Sequence, residues 1–128
     1  MFFFAAYLYK YKFTIVLGIL IILLSLLPSS TIPSNPVTTW SGFDKLAHFF
    51  MYTALSFTIF IEMRCKALCF LKYLLVGLFI LIFSSLLELF QKLFYTLERS
   101  AEIADFLANL FGIISGFTLF SVFRWIKS

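Results

Sequence analysis

The chain has 128 residues, of which 62% are hydrophobic and only 12% are charged, and its formal net charge is +4. A soluble domain of this length could not bury so much apolar surface, because small domains leave much of their surface in contact with water. The composition therefore excludes a soluble globular protein and predicts a single all-α integral membrane domain over residues 1–128.

Apolar runs long enough to cross a bilayer occur four times along the chain. A crossing needs about 20 apolar residues, and helices satisfy their own backbone hydrogen bonds where no water is present. The predicted helices cover 10–27, 46–63, 70–90 and 103–123. The sequence thus predicts a polytopic four-helix transmembrane bundle.

The first run also has the composition of a signal peptide, since lysines precede it. It stops at Pro28, and the following stretch, LPSSTIPSNP, offers no small-x-small cleavage site. Cleavage would also leave three helices with the two chain ends on opposite sides. We therefore expect a retained transmembrane helix.

Basic residues predict the orientation of the bundle, because cytoplasmic loops carry an excess of Lys and Arg. Seven basic residues fall on one side and three on the other. The seven are Lys10, Lys12, Arg64, Lys66, Lys72, Arg124 and Lys127, and the three are Lys45, Lys92 and Arg99. We expect both termini in the cytoplasm. This distribution also explains the net charge without a nucleic-acid partner, since no basic patch forms on a soluble face.

Two cysteines, Cys65 and Cys69, lie in or beside the predicted cytoplasmic turn. No histidine or second cysteine pair accompanies them there, and a reducing compartment disfavours a disulfide. We expect no metal at these residues, and no cofactor is evident in the sequence.

Polar residues gather at the outer ends of the second, third and fourth helices. Five of the six acids lie there, as does the only histidine, and polar groups are costly in a bilayer. At about 100° per residue, the last helix places its polar residues and two glycines within an arc of roughly 80°. That stripe comprises Glu102, Asp105, Asn109, Gly112 and Gly116; the facing stripes are Ser84, Glu88, Gln91 and Tyr95, and Asp44, His48, Tyr52 and Ser56. We expect the three stripes to face one another around an outward-opening polar pocket, with the G-x-x-x-G allowing close helix packing below it.

The residues of these stripes resemble the VanZ-like family of bacterial membrane proteins. The similar blocks are DKLAHFFMYTALSF, ELFQKLF and RSAEIADFLANLFGIISG, which together span Asp44 to Gly116. They match the family's Asp-Lys-x-x-His, Glu-x-x-Gln and Arg-x-x-Glu-x-x-Asp-x-x-x-Asn-x-x-Gly patterns without departure at those positions. The first helix carries no part of the resemblance.

The resemblance implies a bacterial cytoplasmic (inner) membrane location and a role in tolerance of envelope-directed antibiotics. The family takes its name from a member associated with low-level resistance to the glycopeptide teicoplanin. The resemblance implies no particular reaction.

Candidate site residues fall into three groups. Candidate catalytic residues are Asp44, His48, Glu88 and Asp105; candidate binding residues are Lys45, Gln91, Arg99, Glu102 and Asn109; Gly112 and Gly116 are expected to serve packing. Structural alternatives exist for several of them. Asp44 would suit the N-cap of its helix, Lys45 could reach lipid headgroups, and His48 could bond Asp44 one turn away.

Two further alternatives concern the remaining charges. Arg99 and Glu102 could form an ordinary interfacial ion pair. Glu88 lies about one turn inside its helix, where a charged carboxylate needs a polar partner. We therefore expect a polar side chain from the second or fourth predicted helix within hydrogen-bond reach of Glu88.

Two function classes follow, and a third has less support. The pocket could bind a lipid, a lipid-linked envelope precursor or the lipid tail of a lipoglycopeptide. It could instead be a membrane-embedded enzyme acting on a lipid substrate through acid–base chemistry, with His48, Glu88 and Asp105 able in principle to bind a divalent metal. Proton or ion transport is disfavoured, because no charged path continues to the cytoplasmic side.

Overall fold

The computed structural model describes residues 1–26, 36, 42–63, 70–94 and 103–128. Within these residues the chain forms five α-helices and no strand. They are α1 (Phe2–Lys10), α2 (Lys12–Leu26), α3 (Phe43–Met63), α4 (Phe70–Phe94) and α5 (Ile103–Lys127). The all-helical architecture is as the sequence predicts.

Three of these helices, α3, α4 and α5, are each long and apolar enough to cross a membrane. Helices α1 and α2 add a fourth span only if the bent pair is counted as one, because they meet at 73°. The helix predicted over 10–27 corresponds to α2, which begins just after the break at Tyr11, whereas the preceding helix α1 was not expected. Lys10 and Lys12 flank the break, and the apolar run of α2 begins directly after it.

The other helices extend past the predicted bounds. Helix α3 begins at Phe43 instead of 46, α4 ends at Phe94 instead of 90, and α5 ends at Lys127 instead of 123. The predicted bounds follow the apolar stretches, whereas the helices continue into the polar residues that flank them. At about 1.5 Å per residue, α4 and α5 are each longer than the roughly 30 Å hydrocarbon layer.

Helices α3 and α5 run parallel and pack closely along their length. Gly112 lies against Phe49 near the start of α3, and the ring of Phe123 lies 6.0 Å from that of Phe57 further along. A Cβ atom added at Gly112 would come within 2.7 Å of the Phe49 carbonyl oxygen. One added at Gly116 would overlap the Ser56 hydroxyl. Both glycines therefore lie where the backbones of α3 and α5 approach each other most tightly, a distance that a larger residue would not permit.

Helices α2 and α4 run antiparallel to α3 and α5. Ser25 near the end of α2 contacts Gln91 near the end of α4, and Phe13 at the start of α2 contacts Glu62 at the end of α3. The ring of Phe70, the first residue of α4, lies 6.3 Å from Phe117 in the second half of α5. The bundle therefore alternates in direction from α2 to α5.

The two ends of the bundle differ in charge. The basic end contains the starts of α2 and α4 and the ends of α3 and α5. The polar end contains the opposite ends of these helices. Described basic residues at the basic end are Lys10, Lys12, Lys72, Arg124 and Lys127, and those at the polar end are Lys45 and Lys92. The core between them includes the buried side chains of Tyr52, Leu55, Ile80 and Ile113.

Candidate functional site

Polar side chains from three helices meet at the polar end, and Asn109 lies at their centre. We define the polar cluster as Asp44 and His48 of α3, Glu88 of α4, and Asp105 and Asn109 of α5. Asn109 is completely buried, His48 is 5% exposed and Asp105 is 8% exposed. The members of this cluster thus come from all three predicted stripes, of which Tyr95 and Glu102 lie outside the described residues.

The side-chain amide of Asn109, on α5, connects α3 and α4. Its Nδ2 donates a hydrogen bond to Oε1 of Glu88, and its Oδ1 lies 3.2 Å from Nδ1 of His48. The expected polar partner of Glu88 is therefore confirmed, and it comes from α5. Because an amide oxygen can only accept, His48 must carry a proton on Nδ1. Asn109 thereby sets the tautomer of the neutral imidazole and leaves Nε2 on its far side.

The far side of His48 faces Asp44 and the end of the bundle. Nε2 lies 3.8 Å from Oδ1 of Asp44, which is too long for a hydrogen bond but close enough for an ion pair when the ring is protonated. The Asp44 side chain is 49% exposed, whereas that of His48 is only 7% exposed. Asp44 therefore marks the route from the surface to the buried imidazole.

The N-cap interpretation of Asp44 is wrong. Helix α3 begins at Phe43, and the Leu46 amide donates to the Gly42 carbonyl oxygen, so Asp44 lies within the first turn. An acid at this place still interacts favourably with the positive end of the helix dipole. Its carboxylate remains available to a ligand, since it is half exposed.

Negative charge is concentrated around Glu88. The carboxylates of Asp105 and Asp44 both repel that of Glu88, while Asn109 donates a hydrogen bond to it. Glu88 itself is only partly buried, so it keeps some access to the surroundings. An amine, a hydroxyl donor or a proton at this position would reduce the repulsion among the three acids.

Below the polar cluster, the serine hydroxyls of the stripes form hydrogen bonds within their own helices. The His48 ring stacks near Tyr52 with 6.4 Å between centroids, and the hydroxyls of Ser56 and Ser84 donate to carbonyl groups one turn earlier. These hydroxyl groups thus need no further partner.

Other predicted site residues are placed differently. Gln91 turns away from the cluster, and its Nε2 donates to the Ser25 carbonyl oxygen of α2. This bond attaches α2 to the bundle, which is a structural task. Lys45 is partly buried at the polar end, while Arg99 and Glu102 lie outside the described residues. Their proposed ion pair stays a prediction.

Glu62 makes an interhelical contact that the sequence does not predict. Its carboxylate accepts from the Phe13 and Thr14 amides at 3.0 Å and from the Thr14 hydroxyl at 2.6 Å. This carboxylate, on α3, therefore caps the start of α2. The sequence does indicate that Glu62 is buried, because helical spacing places it on the same face of α3 as Tyr52 and Leu55.

An apolar cavity of about 240 Å³ lies between α4 and α5. Leu81 and Leu110 line it towards the polar end, and Phe70 and Phe117 line it towards the basic end. Leu110 follows Asn109 directly in the chain. The cavity therefore lies along the apolar part of the bundle, with Leu110 at the end nearer to the polar cluster.

The described residues contain no group of three or more His, Cys, Asp or Glu side chains arranged to hold a metal ion. His48, Glu88 and Asp105 are all described, so the metal site considered for them does not form in this arrangement. Cys65 and Cys69 lie outside the described residues.

Comparison with known proteins found no relative. No family model matches the chain, and neither a curated protein nor a solved structure is significantly similar to it.

Proposed function

We propose that this chain is a VanZ-like membrane protein of the bacterial envelope that binds the headgroup of a lipid or lipid-linked envelope component at its polar end. The observation that carries the proposal is the buried hydrogen-bonded chain from His48 through Asn109 to Glu88. Three helices contribute one residue each, at a position where lipid contact would be costly for all three. Such an arrangement suits a site that is assembled by the folded bundle.

The proposed orientation places the polar end outside and both chain ends in the cytoplasm of the bacterial inner membrane. Five described basic residues at the basic end against two at the polar end support it, since cytoplasmic segments carry the excess of Lys and Arg. The polar cluster then opens to the outer leaflet, where lipid-linked envelope precursors are used.

The groups of the cluster fit a headgroup with both hydrogen-bond donors and anionic oxygens. Glu88 and Asp44 accept from hydroxyl or amine groups. His48 Nε2 accepts from a hydroxyl when neutral and donates to a phosphate oxygen when protonated. Lys45, adjacent to Asp44, supplies positive charge for a phosphate at the same end.

The ligand's hydrocarbon tail has a place in this proposal. The apolar cavity between α4 and α5 is lined by Leu81, Leu110 and Phe117, and Leu110 is its lining residue nearest to Asn109 in the chain. An amphipathic molecule with its headgroup at the polar cluster can lay one chain there, where burial contributes about 0.8 kcal/mol per CH₂. The same cavity could bind the lipid tail of a teicoplanin-type drug. Sequestration of the drug in this way would produce glycopeptide tolerance.

A membrane-embedded enzyme is the second candidate function. The observation that favours it is His48, which is held on one nitrogen by Asn109 and faces the Asp44 carboxylate with the other. A buried imidazole oriented in this way suits general acid–base chemistry on a lipid substrate.

Lipid retention tests the binding proposal and separates it from the enzyme. Wild-type protein, Glu88→Gln and the control Thr118→Val would be purified in mild detergent and their bound lipids quantified by mass spectrometry. Thr118 is exposed and bonds only to a carbonyl of its own helix. We expect one lipid class to be retained by wild type and Thr118→Val and reduced at least tenfold in Glu88→Gln.

Two other results have distinct meanings. Equal lipid content in all three proteins contradicts the binding proposal. A lipid that is chemically altered in cells with wild-type protein, and unaltered with Glu88→Gln, favours the enzyme instead.

A further inference from the structure

Helix α1 has an apolar surface that the other described parts of the chain leave uncovered. None of its nine residues is buried, and Phe2, Phe3 and Tyr9 are 92%, 85% and 74% exposed. At about 1.5 Å per residue the helix is roughly 14 Å long, less than half of the hydrocarbon thickness. It is too short to cross a bilayer and too apolar to project into water.

The direction of α1 is set by the 73° bend at Tyr11. Helix α2 is part of the bundle, where Ile21 and Ser25 are buried, so α2 runs near the membrane normal. Transmembrane helices tilt by about 20° on average. Even with such a tilt, α1 lies closer to the membrane plane than to the normal.

Glu62 holds this bend in place. In a straight helix the amides of Phe13 and Thr14 would donate to carbonyl groups four residues earlier, before the bend. Here the Glu62 carboxylate accepts from both amides at 3.0 Å. The bend therefore leaves neither amide unsatisfied, and the carboxylate also interacts favourably with the positive end of the α2 dipole.

Cations and aromatic rings meet at the bend. Lys12 Nζ lies 4.6 Å from the centroid of the Tyr9 ring, and Lys10 Nζ lies 5.1 Å from that of Tyr11. Aromatic rings with a polar edge favour the headgroup level of a bilayer, and nearby lysines attract lipid phosphates. Arg124 and Lys127 add positive charge at the same end of the bundle.

We propose that α1 is an interfacial helix that lies in the phospholipid headgroup layer at the basic end, with its aromatic side chains at the boundary of the acyl chains. The partner is the lipid surface itself. Glu62 is the positioning residue, because it fixes the angle at which α1 leaves the bundle. This inference does not depend on the ligand of the polar cluster.

Two pairs of spin labels test the proposal. Single cysteines would be introduced at Phe2, Tyr9, Val16 and Leu23 of the full chain, after Cys65 and Cys69 are changed to serine. The members of each pair are seven residues apart, so they lie on nearly the same face of their helix and about 10 Å apart along its axis. Val16 and Leu23 are exposed on α2 and form the matched control pair.

Membrane depth would be measured in phosphatidylcholine–phosphatidylglycerol nanodiscs by comparing oxygen and nickel-chelate accessibility. We expect Phe2 and Tyr9 to lie near the headgroup level and to differ in depth by less than about 6 Å, while Val16 and Leu23 differ by about 10 Å. A difference of about 10 Å between Phe2 and Tyr9 overturns the proposal, since α1 would then continue the span. Full exposure of both labels to water overturns it as well.

Discussion

Asn109 donates a hydrogen bond to Glu88 across the interface between α5 and α4, although the two residues are 21 positions apart in the chain. The same amide accepts from His48 of α3 at 3.2 Å. One completely buried side chain therefore determines how three helices meet at the polar end. The candidate site and the stability of the bundle depend on the same residue.

Asn109→Leu should destabilise the bundle strongly. The variant leaves Nδ1 of the buried His48 and an oxygen of the partly buried Glu88 without their partner, and a buried group in this state costs about 1–3 kcal/mol. We expect the free energy of unfolding in detergent to fall by about 2–4 kcal/mol. The control Thr118→Val, on the exposed face of the same helix, should be unchanged. If the two variants are equally stable, the hydrogen bonds of Asn109 do not hold the helices together.

Gly116→Ala should weaken the contact between α3 and α5. The added Cβ atom would overlap the Ser56 hydroxyl and come within 2.8 Å of the Thr53 carbonyl oxygen, and a backbone atom cannot move aside cheaply. Gly18→Ala is the matched control, because nothing lies within 4 Å of a Cβ atom there. We expect a lower thermal midpoint for Gly116→Ala and an equal or higher one for Gly18→Ala, since alanine favours a helix by about 1 kcal/mol.

A double substitution refines this test. Ser56→Ala combined with Gly116→Ala removes the hydroxyl but leaves the Thr53 carbonyl in place. Partial recovery of the thermal midpoint is the expected result. No loss in the single Gly116→Ala variant would contradict the close approach of the two helices.

Replacement of glutamate by glutamine should have different effects at Glu62 and at Glu88. Glu62→Gln replaces one of two acceptor oxygens that together receive three hydrogen bonds, so we expect a loss of about 2–4 kcal/mol. Glu88→Gln keeps the oxygen that accepts from Asn109 and relieves repulsion by Asp105, so its stability should change by about 1 kcal/mol or less. Chemical unfolding in one detergent compares them, and the reverse order would contradict both assignments.

Much of the polar cluster could be predicted from sequence, because apolar runs of this length fit the hydrocarbon layer as helices. Once the apolar runs are helices, their polar stripes must face inward, and the residues at equal depth must meet. Glu88 and Asn109 do so. Gly112 and Gly116 are where helical spacing places them, against the backbone of α3.

Hydrogen bonds between side chains and backbone groups could not be predicted from the pattern of polar residues. Gln91 lies three residues after Glu88 and thus about 60° around the helix, towards α2, whose Ser25 carbonyl it bonds. Side-chain patterns do not show a carbonyl acceptor. The bend at Tyr11 was missed for the same reason, since Glu62 receives backbone donors from 48 and 49 residues away.

The topology makes a separate prediction. Reporter fusions at Asn35 and Ser128 should give opposite results, with Asn35 outside and Ser128 in the cytoplasm, because the basic end carries most of the positive charge. Fusions of a phosphatase active only outside and a fluorescent protein active only inside measure this directly. The same location for both fusions would contradict the four-span arrangement.

The structure of the protein in native-lipid nanodiscs tests the central claim most directly. The proposal predicts density for a headgroup at the polar end, within hydrogen-bond distance of His48 Nε2 or the Glu88 carboxylate, with a hydrocarbon chain between α4 and α5. The Glu88→Gln protein should lack this density. If His48, Asn109 and Glu88 bond only to one another beneath a continuous ordinary lipid layer, the cluster is structural and the binding function is contradicted.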